Sequence, residues 1–366
     1  MKYALIGCGR IAPNHIKAAL AAKGQELEIS AICDLLPEKA EALAARFELG
    51  SVPRYTDYKK MLAEVSPELV AVATESGSHA AVALDCIAAG CNVIIEKPIA
   101  LSLSDARRVI AAADAAGVLV CTNHQNRFNR SVVAAREALD SGRERYLASL
   151  SERAKVHVIW GRDRDYYASG DWRGTWRADG GALMNQCIHG IDLLCWFMGG
   201  RPAEVTAMTA RTAHDYIEAE DVGMALLRFP NGALGMVEGT VNTYHADMEE
   251  TLFLFGSEGT VKLGGKAANK VDFWHIAGDS RDAAAVNDES EAALPGVYGK
   301  GHVPLYADVV DAIMTHRPPR VTALDGMGAL EVVLAIYKSA AEGRTVRLPL
   351  DDCSTMDFCG RFDCVD

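Results

Sequence analysis

The sequence predicts an α/β protein with two domains: an N-terminal Rossmann domain with a parallel, doubly wound sheet, and a C-terminal α+β domain with an open, mainly antiparallel sheet. Two observations lead to this prediction. Up to about residue 122, short apolar strands alternate with amphipathic helices, as in a parallel sheet covered on both faces. After residue 123, longer runs of alternating hydrophobicity are joined by short turns, which is typical of antiparallel strands.

The first strand ends in a glycine-rich turn that opens the first helix. Strand, turn and helix in this order place backbone N–H groups where a dinucleotide pyrophosphate binds. Gly7 allows the tight turn, Gly9 lets the backbone approach the phosphates, and Ala12 replaces a third glycine where helix and strand pack closely. The predicted phosphate-binding residues are Gly7, Gly9, Arg10, Ile11 and Ala12.

The second strand, residues 27–33, ends at Asp34. A carboxylate at this place accepts hydrogen bonds from the adenosine ribose, and it repels the 2′-phosphate of NADP. Leu35 follows, and no basic residue precedes Lys39 to neutralise such a phosphate. We therefore expect NAD as the cofactor, with NADP disfavoured.

The rest of the first domain continues the alternation. Strands are predicted at residues 69–74, 92–95 and 118–121, with helices at 79–89 and 103–115. The predicted domains are the NAD-binding Rossmann domain at 1–122, an α+β substrate-binding and oligomerisation domain at 123–350, and a tail with cysteines and aspartates at 351–366.

In the second domain, strands are predicted at residues 203–208, 222–229 and 233–241, and helices at 183–198, 303–315 and 327–342. An open sheet with helices on one face leaves its other face uncovered, which predicts a homodimer or homotetramer formed through that face. The tail contains Cys353, Cys359 and Cys364 at a spacing that matches no zinc ribbon. An unpacked terminus and no metal ion are expected.

Composition excludes several classes of protein. The chain has 366 residues, and its 37 basic and 49 acidic residues give a formal charge of −12, which argues against a nucleic-acid surface. No apolar stretch approaches the length of a membrane span, and Met1-Lys2 leads directly into a strand, so a cytoplasmic location is expected. Most of the ten cysteines lie in apolar elements and are expected to be reduced.

Ligands of open parallel sheets collect outside the carboxyl ends of the strands. Three predicted strand ends carry polar residues, at 74–79, 96–98 and 123–127. Lys97 stands between a buried strand and a proline, and partial desolvation would suit its amine to proton transfer. The residues predicted to contact the cofactor from these segments are Thr74, Ser76, His79, Glu96, Lys97 and Asn123.

Two further segments carry candidate substrate residues. Two glycines precede a helical run in which Asn185, His189 and Asp192 share one face at positions i, i+4 and i+7. The segment from Arg162 to Arg177 interleaves four arginines with aromatic residues, which is suited to an anionic sugar. The predicted substrate contacts are Lys97, Arg127, Tyr166, Trp172, Arg173, Asn185 and His189.

Taken together, the glycine turn with Asp34, the Glu96-Lys97-Pro98 segment and residues 180–192 resemble three signatures of the glucose-fructose oxidoreductase/inositol dehydrogenase/MocA family. The resemblance extends over almost the whole chain. It implies an NAD(P)-dependent enzyme that oxidises or reduces a sugar or cyclitol carbon, with Lys97 and His189 handling the proton.

One position departs from the inositol dehydrogenases of that family. They have aspartate where this chain has Asn185, and a neutral amide cannot stabilise an imidazolium at His189. This gives Lys97 more weight as the catalytic base, with His189 and Asn185 as the other catalytic candidates. The asparagine and the arginine-rich segment resemble the subgroup of UDP-N-acetyl-glucosaminuronate 3-dehydrogenases.

The function expected from the sequence is hydride transfer between NAD and a secondary hydroxyl of a sugar, in particular an anionic sugar or a UDP-sugar. One alternative is a myo-inositol or simple aldose dehydrogenase, against which Asn185 counts. Another is a non-catalytic NAD-binding sensor, in which we would expect Lys97 to be lost. Redox-neutral chemistry with a tightly held NAD also stays open.

Overall fold

A computed structural model of the chain describes residues 1–22, 27–141, 152–244, 246–290 and 300–362. The chain forms two compact units. The first unit comprises Met1–His124 and His302–Met327, and the second comprises Gln125–Gly301 and Gly328–Asp366.

Strands and helices alternate in the first part of the chain. In chain order they are β1 (Lys2–Ile6), α1 (Ala12–Ala21), β2 (Glu28–Cys33), α2 (Pro37–Arg46), β3 (Arg54–Tyr55), α3 (Tyr58–Val65), β4 (Leu69–Val72), α4 (His79–Ala88), β5 (Asn92–Ile95), α5 (Leu103–Ala116) and β6 (Val120–Thr122).

The second part begins with α6 and ends with β14. In chain order the elements are α6 (Arg130–Ser141), β7 (Arg153–Ile159), α7 (Arg164–Ala168), a π turn (Leu183–Cys187), α8 (Ile188–Phe197), β8 (Glu204–Ala210), β9 (Val222–Arg228), β10 (Leu234–Thr240), β11 (Glu249–Gly256), β12 (Gly259–Gly264), β13 (Lys270–Ile276), α9 (Ala283–Ser290), α10 (His302–Thr315), α11 (Ala323–Glu342) and β14 (Val346–Arg347).

The first unit contains a six-stranded sheet in the order β3-β2-β1-β4-β5-β6, and its paired strands are parallel. All four residues of β4 are buried, as expected for a strand covered on both faces. The strand order reverses between β1 and β4, and such a switch point is where nucleotides bind at the carboxyl ends of the strands. The predicted Rossmann architecture is confirmed.

The second unit contains an eight-stranded sheet in the order β13-β12-β11-β7-β10-β9-β8-β14. Its pairs are antiparallel except for β7 with β10, so the predicted mainly antiparallel sheet is confirmed. Helix α8 packs on β7 and β11, and Gly190 permits this contact because a Cβ there would come within 2.8 Å of Val156. Strand β7 was not predicted, although its residues alternate between buried and partly exposed.

One predicted boundary needs correction. The sequence placed residues 302–327 in the second domain, whereas this segment folds with the first unit. Helix α10 packs against α1, and Tyr306 on α10 makes a 2.9 Å hydrogen bond to Tyr3 on β1. A local pattern identifies a helix, but it does not say which distant core the helix joins.

The expectation of an unpacked tail is wrong for residues 351–362. Phe358 and Phe362 are buried and contact the ring of Trp176, and Thr355 donates a 2.6 Å hydrogen bond to the Trp176 carbonyl. Cys353 is buried in the same region, while Cys364 lies outside the described residues. Two aromatic side chains, four residues apart, anchor a segment whose aspartates suggested exposure to solvent.

Cysteines in the described ranges are free thiols. The predicted core cysteines are buried, and so is Cys353, which was expected in an unpacked tail, whereas Cys359 is exposed. No helix in these ranges has both the length and the apolarity of a membrane span.

Candidate active site

The turn between β1 and α1 is shaped to receive phosphates. Gly7 has a φ of +98°, and a Cβ there would collide with the backbone that follows β4. Gly9 faces open space, because a Cβ there would meet no atom within 4 Å. Arg10 is exposed, Ile11 is half-buried and Ala12 is buried at the first position of α1. No described side chain caps this helix, and the N–H groups of Ala12 and Asn14 donate to the carbonyls of Gly9 and Ile11 at 3.2 and 2.9 Å.

Asp34 is held by backbone N–H groups on both of its carboxylate oxygens. Its Oδ2 accepts from Cys8 at 2.8 Å and its Oδ1 accepts from Leu36 at 2.9 Å. The half-buried carboxylate keeps further lone pairs for the two ribose hydroxyls. Leu35 beside it is 82% exposed and offers apolar surface to a purine ring. These residues and the open Gly9 turn fit the adenosine and pyrophosphate of NAD.

Replacing Asp34 with alanine is expected to narrow the preference for NAD over NADP by about tenfold or more, because a like-charge contact is removed. Asp34→Asn separates the charge from the geometry. It removes the charge and keeps one side-chain oxygen that can accept from one of the two backbone N–H groups. Fluorescence titration of both nucleotides measures the ratio of dissociation constants. Tighter binding of NADP than of NAD by the wild type would overturn the role given to Asp34.

The loop after β4 is tied to the loop after β5. Ser78 donates a 2.7 Å hydrogen bond to the Thr74 hydroxyl, and Ser76 is buried between them. The ring nitrogens of His79 lie 2.7 Å from the Pro98 carbonyl and 3.1 Å from the Thr74 carbonyl. Burial lowers the pKa of His79, and the two carbonyl groups act against burial. His79 therefore joins the two loops, and its placement gives no support to the predicted contact with a cofactor.

Lys97 is half-buried directly after β5, next to the buried carboxylate of Glu96. Oε1 of Glu96 accepts a short hydrogen bond from Asn123 and a 2.9 Å bond from Nε2 of His15, and Oε2 accepts from the Lys97 backbone at 3.2 Å. Burial by itself would raise the pKa of Glu96. The hydrogen bond from His15 and the positive charge of Lys97 outweigh burial and hold this pKa well below its usual range.

Among the described residues, His15, Glu96 and His302 offer possible metal-ligand atoms within 4.8 Å of one another. Nε2 of His15 and Oε1 of Glu96 are a hydrogen-bond distance apart, and a metal would have to replace that bond. Burial lowers the pKa of His302 to about 3, so this side chain is neutral near pH 7. We describe the cluster as a hydrogen-bonded network, and the absence of a metal ion stays a prediction.

In the second unit, the predicted helical face is interrupted by the π turn at Leu183–Cys187. A π turn changes the angular spacing between Asn185 and His189 from that of an α-helix. Both side chains are buried and their described partners differ. Asn185 donates a short hydrogen bond to Asp179, and Nε2 of His189 lies 3.4 Å from the amide nitrogen of Gln125.

Arg127, a predicted substrate contact, is engaged by a buried carboxylate. Its Nε and NH2 donate to the two oxygens of Asp192 at 2.8 and 2.6 Å, and its guanidinium lies 5.1 Å from the ring centroid of Trp196. Asp192 and Trp196 both belong to α8. Arg127 therefore anchors α8, because a buried bidentate pair is broken only at high cost.

The segment around α7 presents an arginine between two aromatic rings. The guanidinium of Arg173 lies 4.3 Å from the ring centroids of both Tyr166 and Trp172. It donates to the Tyr166 hydroxyl at 2.5 Å and to the Ser169 hydroxyl at 3.1 Å, and no described carboxylate pairs with it. Gln186, on the π turn, donates to the same Tyr166 hydroxyl at 2.8 Å.

The other arginines of this segment have different environments. Arg162 is paired with Asp247 at 2.5 Å and donates to Oε1 of the Gln186 side chain at 2.9 Å. Arg164 and Arg177 are exposed, and Arg164 lies 3.9 Å from Asp215. Of the four, Arg173 is half-buried and bonded to neutral groups, which makes it the best candidate to meet a substrate anion.

Glu220 was not among the predicted site residues. Its carboxyl group packs against Gly181 of the pair Gly180-Gly181. A Cβ on Gly181 would collide with its carboxyl group, and Oε1 accepts from the Leu183 backbone at 2.7 Å and from the Tyr337 hydroxyl at 2.9 Å. Complete burial raises the pKa of Glu220 well above its usual range, against the hydrogen bonds that it accepts from Leu183 and Tyr337. No local signal links it to Gly181, from which it is 39 residues distant in sequence.

His15, Asp179 and Gln186 were missed as well. His15 could have been recognised from the sequence, because it is a polar residue on the apolar face of α1, whose buried residues include Ala12, Ile16 and Ala19. Asp179 lies six residues before Asn185, and Gln186 follows it directly. No local sequence pattern distinguishes either residue from a solvated polar residue.

A buried ion pair between His214 and Asp221 makes stability depend on pH. Nδ1 of His214 donates to Oδ2 of Asp221 at 2.9 Å, and Nε2 faces the Arg162 carbonyl at 2.7 Å. Burial opposes ionisation of both groups. The hydrogen bond between the two side chains, the Arg162 carbonyl beside His214 and the backbone N–H groups that donate to Asp221 together outweigh burial. The pKa of His214 is therefore raised and that of Asp221 is lowered.

The lowered pKa of Asp221 contributes stability above pH ~4 that is lost as pH falls, and the raised pKa of His214 contributes stability below pH ~6.5 that is lost as pH rises. His214→Gln is expected to lower the midpoint of thermal unfolding most near pH 5–6, by roughly 4 °C, and least near pH 9. The exposed His275→Gln on β13 is the control. A His214→Gln deficit that stays constant across this range would contradict the assignment.

Comparison with known proteins agrees with this geometry. Residues 1–124 match an oxidoreductase family described as having an NAD-binding Rossmann fold, and residues 132–262 match the GFO/IDH/MocA C-terminal domain. A curated relative, 1,5-anhydro-D-fructose reductase from Ensifer adhaerens, is 28% identical over 353 residues, with 95% of this chain and 98% of the relative covered.

Two solved structures resemble the whole chain. The WlbA dehydrogenase from Bordetella pertussis, in complex with NADH and UDP-GlcNAcA, is 36% identical, covers 96% of this chain and 98% of its own, and has a TM-score of 0.87. The WlbA dehydrogenase from Chromobacterium violaceum, with the same two ligands, is 33% identical with 96% of each chain covered and a TM-score of 0.84. This chain belongs to the GFO/IDH/MocA family and is an NAD-dependent oxidoreductase.

Proposed function

We propose that this enzyme oxidises a secondary hydroxyl of an anionic sugar, in first place a UDP-linked sugar uronate, with NAD as the hydride acceptor. Bound NAD would supply the nicotinamide carbon that receives the hydride. The residues proposed to hold it are those of the Gly7–Ala12 turn and Asp34. The alternatives are oxidation of myo-inositol or a simple aldose, and NAD binding without turnover.

The observation that carries the anionic substrate is the environment of Arg173. Its planar guanidinium lies between two aromatic rings and is bonded to neutral hydroxyls, so its charge is not neutralised by a described carboxylate. A guanidinium fork binds a carboxylate or a phosphate through two parallel hydrogen bonds. Tyr166 and Trp172 add ring faces on which a sugar or a base can stack.

The proton of the hydroxyl is proposed to pass to Lys97. A half-buried amine at a strand end can exchange a proton near neutral pH, whereas a guanidinium cannot. His189 is the second proposed proton-handling residue, and Asn185 is proposed to bind substrate or orient its neighbours. Because Asp192 occupies Arg127, this arginine is proposed to position α8.

The two WlbA dehydrogenases support a nucleotide-sugar substrate, since both were crystallised with UDP-GlcNAcA and match this chain at 36% and 33% identity. Curated relatives at 28% and 25% identity include D-apiose and myo-inositol 2-dehydrogenases. Asn185 argues against the inositol reaction, because an amide cannot stabilise a charged histidine as a carboxylate does.

Incubation with NAD and a panel of free, acidic and UDP-linked sugars, followed at the absorbance of reduced nicotinamide, tests the proposal. Neutral and charged forms of the same sugar are the matched pair. Faster turnover of the charged member supports the proposal. Faster turnover of inositol or glucose would select the first alternative, and NAD binding without any turnover would favour the sensor.

We also propose that two or four copies associate through the open face of the eight-stranded sheet. Met208 and Met224 are paired across β8 and β9 and are 81% and 55% exposed, and Leu226 and Leu234 on the same face are 62% and 48% exposed. Apolar surface of this kind is usually buried against a partner. Light scattering of the purified chain gives its mass, and a monomer would contradict this proposal.

A further inference from the structure

Buried hydrogen bonds connect Glu96, through His15 and Tyr306, to Tyr3 on β1. Oε1 of Glu96 is 2.9 Å from Nε2 of His15, Nδ1 of His15 is 2.7 Å from the Tyr306 hydroxyl, and this hydroxyl is 2.9 Å from that of Tyr3. All four side chains are buried in the first unit. We call these four residues the Glu96 chain.

The arrangement of the protons follows from the partners. If each group donates toward Glu96, Tyr3 donates to Tyr306, Tyr306 donates to Nδ1 of His15, and Nε2–H of His15 donates to the carboxylate. If the direction were reversed, the hydroxyl hydrogen of fully buried Tyr3 would have no acceptor among the described residues. An unsatisfied buried donor is costly, so the first arrangement is favoured. It makes His15 neutral and Glu96 an anion.

The other groups around Glu96 agree with an anion. Asn123 donates to Oε1 and the Lys97 backbone donates to Oε2. His302 on α10 lies 4.0 Å from Oε1, and it is neutral near pH 7 because burial lowers its pKa to about 3. Burial also lowers the pKa of His79 on α4. With His15 and His302 neutral, Lys97 is the positively charged group among those that act on the Glu96 carboxylate.

We propose that Glu96 is a positioning residue that sets the proton affinity of Lys97, and that His15 with its two tyrosines keeps Glu96 ionised and in place. A fixed carboxylate in a site of low dielectric favours the charged form of a neighbouring amine. It therefore stabilises Lys97 in the form that arises when the lysine takes a proton. This inference rests on the proposed function, in which Lys97 accepts the hydroxyl proton.

Direct titration of Lys97 tests this without turnover. Lysines are reductively methylated with ¹³C-formaldehyde, and the Lys97 signal is assigned by its loss in Lys97→Arg. Glu96→Gln keeps the shape of the side chain and removes its charge, so the midpoint of the Lys97 titration is expected to fall by about one pH unit. The acid limb of the pH profile of kcat/KM should move in the same direction. Glu64→Gln, an exposed carboxylate of the same unit, is the control and should move neither.

The role of His15 is tested by a pair of variants. His15→Phe removes the donor and should lower the Lys97 midpoint, whereas His15→Gln retains an N–H donor and should keep it near that of the wild type. Thermal unfolding of each variant shows that it is folded. A purely structural role would change the unfolding midpoint and leave the Lys97 titration unmoved.

Failure of this inference and failure of the proposed function would give different results. An unmoved Lys97 signal in folded Glu96→Gln overturns the inference, and it leaves the proposed function intact if Lys97→Ala is inactive. Full activity of Lys97→Ala overturns the proposed function, whatever the titration of Lys97 shows.

Discussion

Lys97→Ala is expected to reduce kcat by about 10² to 10⁴, the range for loss of a positioned acid or base, while the dissociation constant of NAD changes by no more than about threefold. The reason is that Lys97 is proposed to act on the hydroxyl proton and not on the phosphates, which the β1–α1 turn is shaped to bind. Steady-state kinetics at saturating NAD and fluorescence titration of NAD measure the two quantities.

Lys97→Arg separates charge from proton transfer. Arginine keeps the positive charge but does not release a proton near neutral pH, so this variant should be as inactive as the alanine variant. His189→Ala should be less severe, because Asn185 gives the imidazole no carboxylate support, and Asn185→Asp should shift the pH optimum upward. Equal activity of the wild type and Lys97→Ala would rule out the proposed mechanism.

Arg173→Ala is expected to weaken binding of a charged sugar by about 1.5–3 kcal/mol, or roughly 10- to 150-fold, and to leave binding of its neutral counterpart almost unchanged. The guanidinium lies between Tyr166 and Trp172 with hydroxyl acceptors alone, so its charge is available to a ligand. Arg173→Lys should restore part of the loss, because a point charge cannot form the bidentate fork.

Arg164→Ala is the matched control for this effect. Arg164 lies in the same segment, but it is exposed and faces Asp215, so its removal should change neither substrate. Isothermal titration of both sugars against each variant provides the comparison. Equal losses for the charged and the neutral sugar in Arg173→Ala would show that Arg173 only supports Tyr166.

Most of the first unit could be predicted from the sequence. Gly7 and Gly9 through their backbone and Asp34 through its carboxylate lie within one β-α-β segment, so their spacing alone predicts their proposed roles. The buried strands of this unit are also recognisable from their composition, and β5 was predicted with the bounds that the structure shows. The eight-stranded sheet was harder to predict, because its central strand β7 pairs in parallel with β10, which comes much later in the chain.

The candidate site was predicted in its residue types more than in its contacts. Arg127 and His79 were chosen because they follow strand ends, yet Arg127 pairs with Asp192, 65 residues away, and His79 contacts Pro98. Position at a strand end brings a side chain to the right edge of a sheet. It does not say whether another buried group has already satisfied that side chain.

The family, the cofactor and the general chemistry of this protein could be inferred before its fold was known, because each depends on short motifs whose geometry is local: the glycine turn, Asp34 and the Glu96-Lys97-Pro98 segment. The partners of the charged side chains could not be inferred in this way. Tyr306 reaches His15 across 291 residues, and Glu220 meets Tyr337 across 117. Such contacts form when distant elements share one core, and the electrostatics of a buried group is set by those neighbours and not by its position in the chain.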